Sequence, residues 1–116
     1  MTPSLPLPST VMSRADLDFL LHDWLRVSEL CGRERYADHS RETIDAVVDL
    51  SAELAEKYFA PHNRKADLNE PRLVGEEVEL IPEIAEALRR FADADLVGAA
   101  MDERVGGMQL PYTAYL

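Results

Sequence analysis

Cysteine, long apolar runs and positive charge are all scarce in this chain of 116 residues, and each scarcity excludes something. The lone Cys31 cannot close an internal disulfide, so nothing in the fold depends on an oxidising compartment. No apolar stretch approaches the ~20 residues that span a bilayer, and the amino terminus lacks the basic region and apolar segment of a secretory signal. A cytoplasmic setting is expected. With 12 basic residues against 22 acidic, the formal net charge is −10, which repels phosphate backbones and anionic lipid surfaces. Neither nucleic acid nor membrane is an expected partner. Neither an internal repeat nor a sustained heptad pattern occurs.

What is present has the composition of a folded globular chain, 47% hydrophobic and 29% charged, and the length fits one domain with a modest core. The clearest element is a helix over residues 40–60. Starting from Ile44 at 100° per residue, Val47, Val48, Ser51, Leu54, Ala55, Tyr58 and Phe59 fall within one arc of about 140°. Asp45, Asp49, Glu53 and Glu56 form an acidic ridge opposite, which faces solvent. Ser40 is placed to cap the first free amides, and Pro61 disfavours helical geometry at Ala60.

Residues 1–12 carry Pro3, Pro6 and Pro8 and read as an extended arm. Ser13 and Asp16 resemble a capping box that opens a first helix. Its stripe is Leu17, Leu20, Leu21, Trp24, Val27 and Cys31, and it closes at Gly32 with a left-handed cap. Phe19 and Leu30 fall on the other side of that helix, so a second surface should touch them. Residues 61–80 lose periodicity and read as a long surface loop. Within it, Leu73, Val78 and Leu80 flank Gly75 as in a small bend or hairpin. Pro82 starts a third helix that stops near Ala94 or Asp95. Its narrow face is Ile84, Ala87, Leu88 and Phe91, and Glu86 and Arg90 are spaced as an exposed pair. Gly106-Gly107 is a tight turn leading to Pro111 and barely one turn of a further helix. A nucleus that short has no independent stability, so the end reads as truncated. The expected fold class is all-α: a small helical bundle of three main helices plus the start of a fourth, with a long irregular connector, over residues 13–116.

Little here announces chemistry. His22, His39 and His62 are scattered and read as packing or surface residues rather than metal ligands. Cys31 reads as a small buried hydrophobe. Trp24, Tyr58, Phe59 and Phe91 stand at core spacings. The carboxylates of the ridge lack the loop oxygens that enclose a divalent ion, and Asp102 and Glu103 receive no acid or base role. Gly106-Gly107 lacks the glycine spacing and preceding strand of a dinucleotide fingerprint. No catalytic, cofactor or metal residue follows from these patterns.

Several stretches, in order, resemble the amino-terminal helical domain of the acyl-CoA dehydrogenases. They are Phe19-Leu20-Leu21 in a first helix, then Phe59-Ala60-Pro61-His62-Asn63 running to Asp67, and then the Val78 to Pro82 approach to a helix. The fullest is Asp102-Glu103-Arg104-Val105-Gly106-Gly107-Met108-Gln109-Leu110-Pro111. The leading helix and proline-rich arm look more like the larger members, and Val105 departs from the aromatic residue that many members carry there. The resemblance implies a flavoenzyme that removes a proton alpha to a thioester carbonyl while hydride passes from the beta carbon to FAD. It implies FAD for the complete enzyme and none for this chain alone. Its partners would be the enzyme's remaining domains or homo-oligomer subunits, with acyl-CoA as substrate. Met108, Gln109 and Leu110 would lie near the acyl channel. The contrasting expectation is a stand-alone helical protein-interaction module without enzymatic activity.

Overall fold

The computed structural model describes residues 11–116, so the proline-rich arm lies outside the described residues except for Val11 and Met12. The fold is mostly helical, with one small antiparallel hairpin. The hairpin corrects the all-α expectation: β1 (Arg72–Val74) pairs with β2 (Glu77–Glu79) in the register Arg72 with Glu79, Leu73 with Val78 and Val74 with Glu77. Gly75 takes φ +65° at the first turn position, where only glycine is free of a Cβ penalty.

The first helix opens as expected but is much shorter. Ser13 Oγ accepts from the Asp16 amide at 3.3 Å, α1 covers Arg14–Asp18, and a wider π turn continues it over Phe19–Trp24. There it breaks. Arg26 adopts φ 51° and ψ 51°, and the chain resumes as 3-10 turns over Val27–Gly32 and Glu34–Tyr36. The left-handed residue is thus Arg26, not Gly32. The break turns the stripe apart: Leu21 and Val27 are buried, whereas Trp24 is 66% exposed and no part of the core.

The helix expected over 40–60 is α2 (Arg41–Leu54), prolonged by a π turn over Ala55–Phe59. Ser40 caps it reciprocally with Thr43. Ser40 Oγ accepts from the Thr43 amide at 3.3 Å, and Thr43 Oγ1 accepts from the Ser40 amide at 2.8 Å. Pro61 does not end the helical path. It sits in the opening positions of a 3-10 turn, Ala60–His62, where its missing amide has no carbonyl to serve. The chain then runs into α3 (Asn63–Leu68), so the first part of the supposed surface loop is helical. After the hairpin, α4 (Pro82–Asp93) begins at Pro82 as expected and is followed by left-handed Asp95. Lys65 Nζ meets Glu83 across the hairpin, joining α3 to α4. Glu86 pairs with Arg90 at 4.0 Å, and the Arg90 guanidinium lies 5.0 Å over the Tyr58 ring. Ala87 is the buried residue of α4, while Leu88 faces out at 55% exposure. The chain closes with α5 (Tyr112–Tyr115).

The core joins the first helix to α2. Leu21, Val27, Ile44 and Val48 cluster, with Leu17, Cys31 and Ala114 packed against them. Ile44 is wholly covered, and among the described residues only nine hydrophobics are buried against 18 large ones exposed. So thin a core leaves little redundancy. The second surface expected against Phe19 is not found among the described residues, where Phe19 is exposed, and Leu30 is half-covered. Among the described residues no helix is long and apolar enough to cross a membrane. Ile44→Ala is expected to cost about 2–5 kcal/mol in urea denaturation, whereas Trp24→Ala should stay within about 0.5 kcal/mol. A large loss at Trp24 would contradict this placement of the core.

Candidate functional site

Two polar assemblies hold the thin core, and the residues singled out by sequence fall in one of them. Residues 96–111 fold back on themselves. The Met108 and Leu110 amides both donate to the Ala99 carbonyl, at 3.2 and 3.0 Å, and the Gln109 amide donates to the Met101 carbonyl at 3.0 Å. The two glycines make this possible for different reasons. Gly106 takes φ +89°, and a Cβ on Gly107 would lie 2.1 Å from the Met101 carbonyl oxygen. The folded loop is then tied to residues 33–39, the segment that holds the 3-10 turn Glu34–Tyr36. Gln109 Nε2 donates to the Arg35 carbonyl at 2.9 Å, and Gln109 Oε1 accepts from the Glu103 amide at 3.2 Å. His39 Nε2 donates to the Met108 carbonyl at 2.7 Å, and Arg35 pairs with Asp102.

These bonds fix where the expected channel residues stand. Met108 is half-buried, Leu110 is 2% exposed, and Gln109 sits at φ 52°, with both ends of its amide engaged. Leu110 borders a small cavity of about 40 Å³ together with Val47, Phe91, Leu96 and Tyr115. Asp102, given no chemical role from sequence, is the electrostatic hinge of the loop. Its hydrogen bond from Arg35, and a second from Arg104, hold its carboxyl below the ordinary aspartate range.

The second assembly lies between the first helix and α2. His22, with its side chain 3% exposed, puts Nε2 2.7 Å from Asp45 Oδ1. A carboxylate only accepts, so Nε2 carries the proton. Arg14 donates to Asp18 at 2.9 Å, contacts Asp45 at 3.9 Å and also pairs with Asp49. Its bond to Asp18 raises the guanidinium pKa further. The acidic ridge is therefore not simply solvated: Asp45 is half-buried and bonded inward. Asp18, His22 and Asp45 each bring one ligand atom within 4.8 Å of the others. Asp18 and His22 stand four apart on one helix, the spacing that would have flagged the histidine in the sequence. Arg14 already supplies the positive charge there, which makes the group an ion-pair network.

No protein-family model, curated protein or solved structure matches this chain. Two further concavities stand apart from the loop. A groove of about 620 Å³ is lined mostly by apolar side chains, among them Phe59, Ala60, Ala66, Ile84 and Leu88. His62 borders it with both ring nitrogens buried and without partners. A hollow of about 340 Å³ is lined by His22, Arg26, Ser28, Glu29 and Arg41.

Gly107→Ala is expected to cost about 3 kcal/mol by denaturation because a carbonyl blocks the methyl, and Gly106→Ala about 1 kcal/mol from its backbone angle alone. The reverse order would refute the close approach at Gly107. For Asp102 the sign is that of a depressed carboxyl. Its contribution is present above the unfolded pKa of about 3.9 and is lost as pH falls through the lower folded value. Carboxyl-carbon NMR titration should therefore give Asp102 a midpoint below that of an ordinary aspartate. A midpoint at or above it would mean that the Arg35 contact does not hold the loop.

Proposed function

We infer that the chain is the amino-terminal helical part of an FAD-dependent acyl-CoA dehydrogenase, without catalytic activity of its own. The observation that carries this reading is the ordered set of stretches ending in residues 102–111, with the Ala60-Pro61 step at a helix-to-helix junction. In this reading the helical segments around residues 14–24, 41–62 and 82–93 form a small bundle, with α5 as the start of a fourth helix. The shortage of buried apolar residues and the open groove beside Phe59 support it, since such faces suit packing against further domains. Partner domains, or subunits of a homo-oligomer, would cover them. FAD and the catalytic carboxylate belong to those domains. Glu83, a half-buried carboxylate beside His62, is held below its ordinary pKa by Lys65, the opposite of what a base needs. Met108, Gln109 and Leu110 contribute to the wall of the acyl channel, and the enzyme works in the cytoplasm.

The reaction requires abstraction of the proton alpha to the thioester and hydride transfer to flavin, so the test uses the full gene product. The frame downstream of Leu116 should encode a β-rich domain and a glutamate-bearing helical bundle, and the purified product should be yellow and bleach anaerobically on adding acyl-CoA. In it, Met108→Trp should raise KM for long acyl chains by about tenfold, roughly the cost of one lost apolar contact, with little change for short ones. A flavin-free product, or one that acyl-CoA does not bleach, refutes the reading. A second reading, a stand-alone interaction module, is favoured by exposed Phe19, Leu20, Trp24 and Leu25 on the short first helix. The downstream frame separates the two readings: a β-rich domain and a glutamate-bearing bundle encoded there support the dehydrogenase part, and their absence supports the module.

A further inference from the structure

The hollow beside His22 contains the ingredients of an anion site, and they come from separate elements. His22 lies in the last turn of the first helix, Arg26 and Ser28 stand at the left-handed break and the turn after it, and Arg41 opens α2. With its proton on Nε2, bound to Asp45, His22 leaves Nδ1 as a bare lone pair, buried and without a partner. Ser28 Oγ is likewise buried without a partner. Both residues line the same hollow of about 340 Å³. Two guanidiniums complete it. Arg41 approaches Asp45 only to 3.8 Å and Arg26 approaches Glu29 only to 3.7 Å, both beyond a hydrogen bond, so their donors remain available. Two arginines thus stand around two unsatisfied buried polar atoms, with Glu29 and Asp45 as the carboxylates beside them.

A ligand that satisfies all of them must donate once and accept several times. The geometry points to a site for hydrogen phosphate: its P–OH donates to His22 Nδ1, and its unprotonated oxygens accept from Ser28 Oγ–H and the Arg26 and Arg41 guanidiniums. Sulfate and carboxylates have no proton to give at neutral pH, so they leave Nδ1 unsatisfied. A phosphate monoester, whose second pKa is about 6, has lost its own by about pH 8, where inorganic phosphate still carries one. Glu29 opposes the anion from the rim. Its side chain is 73% exposed and can turn to solvent. The inference does not depend on the dehydrogenase reading.

NMR titration of the 116-residue chain at about pH 8, where imidazole is neutral, and constant ionic strength tests it with inorganic phosphate, sulfate and methyl phosphate as probes. Phosphate should move the Ser28 and Arg41 amide resonances saturably, with sulfate and methyl phosphate at least about tenfold weaker. Ser28→Ala and Arg41→Gln should each weaken phosphate by about tenfold without changing the thermal melt. Glu29→Gln, which removes a like charge, should tighten it by about threefold. Equal binding of sulfate, insensitivity to Ser28→Ala and Arg41→Gln, or no saturable shift at all would overturn the site.

Discussion

The bond from His22 Nε2–H to Asp45 is the constraint on which the arrangement turns. It is a buried imidazole held by a carboxylate on the facing helix, directly beside the Leu21, Val27, Ile44 and Val48 cluster. Apolar packing brings the first helix and α2 together, but packing is non-directional and the cluster is small. The hydrogen bond sets the register. Leaving the buried Nε2–H of His22 without its acceptor would cost more than the bond itself contributes, which is why such a pair specifies a position as well as stabilising one. Arg14, laid across Asp18, Asp45 and Asp49, extends the same seam outward, where water weakens each pair.

The loop of residues 96–111 is held by a different means. Its own carbonyls at Ala99 and Met101 capture the amides of residues 108–110, and the closeness of those segments leaves no room for a Cβ at Gly107. Arg35, His39 and Asp102 then fasten this compact piece to the turns before α2. The two assemblies flank α2, one through Asp45 and the other through the turns that lead into its cap. Between them they organise a fold in which most large apolar side chains among the described residues are uncovered. That imbalance is what the proposed role rests on, since uncovered apolar faces suit packing against neighbours.

Much of this was legible in the residues. Ser40, Pro82 and Gly75 mark their elements because caps, helix-starting prolines and glycine turns act locally, and the structure has α2, α4 and the hairpin at those places. What was not legible came from tertiary geometry. Nothing local marks Arg26 as left-handed, and the stripe through Leu17 and Cys31 looks continuous until the break rotates Trp24 into solvent. Pro61 was read as a stop because proline removes an amide, yet at the opening of a new turn no amide is wanted. The polar seam was half visible: Asp18 and His22 stand one helical turn apart, but only the approach of α2 reveals that Asp45 is the partner. For Met108, Gln109 and Leu110 the sequence marked a turn. The bonds that fix it run to Arg35 and His39, some 70 residues earlier.

The protonation pattern of His22 tests this account most directly, because it reports the seam and the neighbouring hollow at once. Long-range nitrogen–proton correlation spectra of the imidazole at about pH 8 should show its slowly exchanging proton on Nε2, bonded to Asp45. A proton on Nδ1 in place of Nε2, or an imidazole whose protons exchange as fast as those of a free histidine, would contradict it.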